Sequence, residues 1–85
     1  MGNLEIDIHG LTVSEAKKKL ERTISTLPDR YSQITVIHGY QAGTSLQTMV
    51  RKNLKHRRIK RKILCLNPGE TILLIDPQQK EKQKK

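Results

Sequence analysis

The chain has 85 residues, 34% of them hydrophobic, with no Phe or Trp and with Tyr31 and Tyr40 as its aromatics. That length allows one small domain, and so few large side chains allow an aliphatic core no thicker than one layer of helices on one sheet. No stretch of about 18 apolar residues exists, which excludes a membrane-spanning helix. The N-terminus has no signal-peptide pattern, so the sequence predicts a cytoplasmic protein.

The charge is unevenly placed. Residues 1–50 carry five Lys or Arg against five Asp or Glu, whereas residues 51–85 carry twelve basic against three acidic and so hold the whole net charge of +9. Eight of the basic residues fall between Arg51 and Lys62, with no acid among them. A one-sign patch beside a neutral body points to a polyanionic partner, drawn by steering and counterion release.

In chain order, Leu4, Ile6 and Ile8 alternate with Glu5, Asp7 and His9, the period of a strand with one buried face. That alternation puts Asp7 and His9 on the open side, about 6 to 7 Å apart along the strand. Gly10 ends the strand, and Thr12 with Glu15 three residues later predicts a capped helix, with Leu11 stapled against Ala16. Val13, Ala16, Leu20, Ile24 and Leu27 form its apolar face, and Pro28 stops it. Residues 29–32 are a short connection.

Residues 33–37 then predict a second strand. A strand, helix, strand order of this length calls for a parallel pair joined by a right-handed crossover, so the two strands end at the same edge. A second helix, Ser45 to His56, buries Leu46, Met49, Val50 and Leu54 and carries Arg51, Lys52, Lys55 and Arg58 on a basic back. Thr44 and Gln47 fit a capping box at its start. His56 reads as an exposed member of the basic run.

Residues 60–66 and 71–75 predict two further strands, joined through Asn67-Pro68-Gly69-Glu70 as an antiparallel hairpin. Cys65, inside an apolar run, reads as a small buried hydrophobe. The expected fold is thus a two-layer α/β sandwich in the order βαβαββ, a four-stranded mixed sheet with two helices on one face. It fills residues 1–77, and the polar, basic residues 78–85 form a flexible tail.

Both expected parallel strands end in His-Gly, at His9-Gly10 and His38-Gly39, and each leads into a helix. In parallel α/β sheets ligands bind at the carboxyl ends of the strands. Asp7, His9 and His38 are therefore the candidate proton-transfer groups, with both imidazoles expected to face solvent on one rim. The backbone of Gly39, Gly43, Thr44 and Ser45 before the second helix is a candidate phosphate cradle. Tyr40 could stack on a base or sugar, or hold the loop. Arg51, Lys52, Lys55, Arg57 and Arg58 are candidate contacts to a nucleic-acid backbone. A divalent metal at Asp7 is possible, although the spacing follows no metal motif.

Ile6-Asp7-Ile8-His9-Gly10 resembles the Leu-Asp-x-His-Gly motif, and His38-Gly39 through Leu46 resembles the His-Gly-x-Gly motif, of Smr domains, the small MutS-related domains. The resemblance covers residues 4–76. It implies nucleic-acid binding and, in many members, endonuclease activity on DNA or RNA, in some cases linked to stalled ribosomes. It also implies that Asp7 and His9 are catalytic and that the His38-Gly39 loop holds substrate. Gln41 and Ala42 interrupt the family's alternating glycines, which predicts a wider cradle. A binding module without catalysis, docking on ribosomal or messenger RNA through Arg51 to Lys62, is the alternative.

Overall fold

The computed structural model describes residues 2–39 and 45–76. The elements are β1 (Gly2–Asp7), α1 (Val13–Thr26), β2 (Tyr31–Ile37), α2 (Ser45–Thr48), β3 (Ile59–Leu64) and β4 (Glu70–Ile75), with α2 running directly into a π-helical turn at Met49–Asn53. The sheet order is β1-β2-β4-β3. β1 and β2 pair in parallel, and β4 pairs antiparallel with both β2 and β3.

This is the four-stranded mixed sheet with two helices that the hydrophobic pattern predicts. Ile6, Ile34, Val36, Leu73 and Ile75 lie in one core cluster with Ala16, Leu20 and Ile24 of α1 and with Met49, Val50 and Leu54. The register Glu5↔Thr35↔Ile72 and Asp7↔Ile37↔Glu70 places alternate residues on the opposite face, which no helix of the described residues covers.

α1 begins as expected. Thr12 is its N-cap, Glu15 N–H donates to Thr12 Oγ1 at 3.1 Å, and Thr12 N–H donates to Glu15 Oε1 at 3.1 Å. Its far end is closed from elsewhere in the chain, because its last turn carries no basic residue. Arg58 supplies the cation. Its buried guanidinium donates to the carbonyls of Ile24, Leu27 and Asp76.

The second helix departs most from expectation. It ends at Asn53 rather than near His56, and Leu54 N–H reaches back five residues to Met49 O. The wider turn lets Met49, Val50 and Leu54 all lie fully buried. Lys62 Nζ from β3 then donates to the freed Leu54 carbonyl at 2.6 Å.

Smaller differences have local causes. Val13, at the first position of α1, is 39% exposed rather than part of the buried face. β3 is an edge strand and stops at Leu64, so Cys65 is half-buried and Leu66 fully exposed. His56 is half-buried. Arg58 N–H donates to its Nδ1, so its Nε2–H is left to donate to Ser25 Oγ at 2.9 Å. Residues 78–85, expected to be a tail, and Tyr40 to Thr44 in the expected cradle lie outside the described residues.

Candidate functional site

Because β1 and β2 run parallel, their carboxyl ends share one rim, where Ile8 N–H still donates to Ile37 O at 2.9 Å. β1 stops at Asp7 because its side chain takes over a backbone role. Asp7 Oδ1 accepts His9 N–H at 3.0 Å, a local turn that aspartate favours. The same oxygen lies 2.5 Å from His9 Nδ1. A carboxylate only accepts, so Nδ1 carries the proton and Nε2 presents its lone pair outward. Both side chains are open to solvent, 68% exposed for His9 and 50% for Asp7. The hydrogen bonds from His9 hold the Asp7 carboxyl below the usual carboxylate range, side chain first and backbone second.

His38 does not join this pair. The expectation of two solvent-facing imidazoles fails because His38 is only 3% exposed. Its Nδ1 lies 2.9 Å from Gly39 O, and its Nε2 lies 2.9 Å from Thr71 Oγ1. Gly39 O can only accept, which places a proton on Nδ1. Thr71 Oγ1 already accepts Arg51 Nε–H at 2.8 Å, so its own proton goes to His38 Nε2. His38 is thus a neutral imidazole with both nitrogens occupied, and burial holds its pKa below the usual 6.5. Its place is in the scaffold under the rim rather than among the reacting groups.

Sequence reading missed Thr71, although a signal was present. It alternates inward with Leu73 and Ile75, so a hydroxyl had to enter the core and find partners there.

Gly39 brings the two His-Gly corners together. A Cβ built on it would lie 3.6 Å from His9 Cβ, in ordinary contact, while its φ of +72° is what requires glycine. The N–H groups of His38 and Gly39 both donate to Gly69 O, at 2.9 and 3.0 Å. The Gly39 amide is therefore already satisfied and does not serve as a phosphate donor, as had been expected of it. Beside His9 lies a cavity of about 680 Å³, lined by Leu11, Thr12 and Val13 at the start of α1, by Ile37 and Gly39 at the end of β2, and by Asn67, Gly69 and Glu70. Ser45, at the start of α2, lines it too.

A family model described as the Smr domain matches residues 6–70. The chain belongs to the Smr domain family. Its backbone is similar to the crystal structure of the Smr domain of Thermus thermophilus MutS2, with a TM-score of 0.75 at 23% identity, over 87% of this chain and 99% of that one. A comparison with curated proteins found no match. Smr domains are a nucleic-acid-binding, nuclease-like family.

The basic patch of the Smr domain divides into two classes. Lys52, Lys55, Arg57, Lys60 and Arg61 are exposed. Arg51, Arg58 and Lys62 are committed to the fold. Arg51 donates to Thr71 and to Glu70 O, Arg58 caps α1, and Lys62 caps the second helix, its ammonium pushed below the usual lysine range by burial and then by Lys55. Arg58 in particular is buried and not available to a nucleic-acid backbone, contrary to the sequence expectation. Among the described residues no three His, Cys, Asp or Glu side chains form a metal-binding group, and no helix is long and apolar enough to cross a membrane.

Proposed function

We propose that this Smr domain cleaves phosphodiester bonds in RNA or in structured DNA, with His9 moving the proton and Asp7 orienting it. One observation carries the reading: the exposed Asp7–His9 pair, whose His9 lines the cavity, with the Nε2 lone pair turned outward. On RNA, Nε2 takes the proton of a ribose 2′-hydroxyl. The 2′-oxygen then bonds to the adjacent phosphorus, the 5′-oxygen leaves and takes a proton from water, and the products are a 2′,3′-cyclic phosphate and a 5′-hydroxyl. Asp7 fixes the tautomer and stabilises the imidazolium as it forms. With His38 held inside, no second imidazole serves as the acid.

On DNA the nucleophile must be water, the chemistry a divalent ion would assist. The donors standing together are the Asp7 carboxylate and His9, too few for a protein cage. An ion there would depend on water and on the substrate's own phosphate for its remaining ligands. Lys52, Lys55, Arg57, Lys60 and Arg61 supply the attraction for the polyanion, with ribosomal or messenger RNA the partner class in a cytoplasmic setting.

The test compares the full chain with Asp7→Asn and His9→Ala on structured RNA, on the same strand with 2′-deoxy substitution, and on branched DNA, with and without EDTA. The expected outcome is a rate loss of about 10² to 10⁴ in His9→Ala. EDTA-resistant cleavage lost on 2′-deoxy substitution assigns the 2′-hydroxyl route. Cleavage unchanged in both variants overturns the enzyme and leaves the binding module, a reading favoured by the commitment of His38 to the scaffold.

A further inference from the structure

The cavity beside His9 is poorly explained by a phosphate alone. Among its described lining residues there is no Lys or Arg, while Leu11, Val13, Ile37 and Leu46 give it an apolar wall and floor. Glu70 also lines it, and a carboxylate repels a phosphate. The sheet register puts Asp7, Ile37 and Glu70 in one transverse row on the open face, so Asp7 and Glu70 flank Ile37 at two strand spacings, about 10 Å.

We propose that this cavity is a nucleobase subsite beside the cleavage centre, and that Glu70 with Asn67 selects an unpaired guanine. The proposal rests on the nucleic-acid reading above. With the sugar-phosphate at His9, a base entering the cavity meets the apolar side chains that line it, and its outer edge reaches Glu70. The backbone groups of Glu70 are already used: its N–H donates to Asn67 O and its carbonyl accepts Arg51 Nη2. Its carboxylate has no hydrogen-bond or ion-pair partner among the described residues, and it is half-buried. Asn67 Oδ1 accepts Gly69 N–H at 2.9 Å, which leaves Asn67 Nδ2 to donate.

Two acceptors and a donor on one turn match one base edge. Guanine offers N1–H and N2–H side by side to the two carboxylate oxygens, and O6 beside them to an amide donor. Adenine and cytosine set an unprotonated ring nitrogen next to their amino group, where a carboxylate is repelled. Uracil places a single N–H between two carbonyls. In a duplex the guanine edge is already paired, so the subsite accepts only unpaired or extruded bases.

The experiment measures fluorescence anisotropy of labelled ten-nucleotide oligouridine strands carrying one central G, inosine, A or C, against the full chain and Glu70→Gln. The G strand is expected to bind about tenfold tighter than the A and C strands, with inosine, which lacks N2–H, in between. In Glu70→Gln, which keeps the wild-type melting temperature, that preference shrinks to within about threefold, while plain oligouridine binds at least as well as to wild type. Guanosine monophosphate is expected to displace the G strand only far above the strand's own Kd; displacement at equal concentration makes the free nucleotide the ligand and overturns the strand subsite. Equal affinity for all four strands, or a G preference that survives Glu70→Gln, overturns the proposal while leaving the nucleic-acid reading intact. No salt-sensitive binding to any strand, together with no cleavage, overturns both.

Discussion

His9 and His38 begin from the same dipeptide and end in opposite situations. His9 follows an aspartate that accepts hydrogen bonds from its backbone N–H and its ring Nδ1–H, and among the described residues its side chain stays exposed. That arrangement was legible, because every contact lies within two residues. His38 is fixed by Thr71, 33 residues away, and through it by Arg51, and no local pattern carries such a contact. Its burial has a consequence in pH. A histidine whose folded pKa lies below 6.5 binds more protons unfolded than folded in the interval between the two values. Its contribution to stability is complete above about pH 6.5 and is lost as pH falls through that interval to the folded value. Thermal melts from pH 7.5 to 5 should show the melting temperature falling on acidification, and His38→Gln should lie lower at pH 7.5 but fall less steeply. Parallel curves for the two proteins would mean that His38 does not titrate in this way.

At the scale of elements, the strands, the parallel pair and the capped start of α1 could all be read from spacing, since period two, period 3.6 and a Thr-x-x-Glu box are local signals. The other ends of the helices could not. Both are closed by cations from distant strands or loops, Arg58 on α1 and Lys62 on the second helix, and in the sequence those residues are indistinguishable from the rest of a basic run. The π-helical turn was hidden for a related reason, because it follows from burying Met49, Val50 and Leu54 together rather than from any residue that breaks a helix. Arg58→Met removes the donors for four backbone carbonyls and should cost about 3 kcal/mol of stability, read as a lower urea midpoint at unchanged slope. Arg58→Lys should recover only part of that loss, since an ammonium cannot reproduce the planar fork.

For the whole molecule, the uneven charge survives as a feature but its membership changes. The residues that remain free to meet a polyanion include Lys52 and Lys55 on the second helix and Arg61 on the edge strand. Lys52→Glu combined with Lys55→Glu should weaken RNA binding and flatten the slope of log affinity against log salt by about one unit or more, with little change in melting temperature. Unchanged affinity and slope would show that this face does not meet nucleic acid. Reversal at Arg58 is no equivalent test, because it would unfold α1's end before it reported on binding.

The Gly69 carbonyl holds the amides of both His38 and Gly39, so the loop next to the reactive pair is pinned by a hairpin made near the end of the folded chain. Asp7 and His9 belong to the end of β1, yet the wall opposite them has no fixed place until β4 has slotted between β2 and β3. A half-made or clipped copy therefore lacks one wall of the cavity beside His9, which is whole only with the completed sheet.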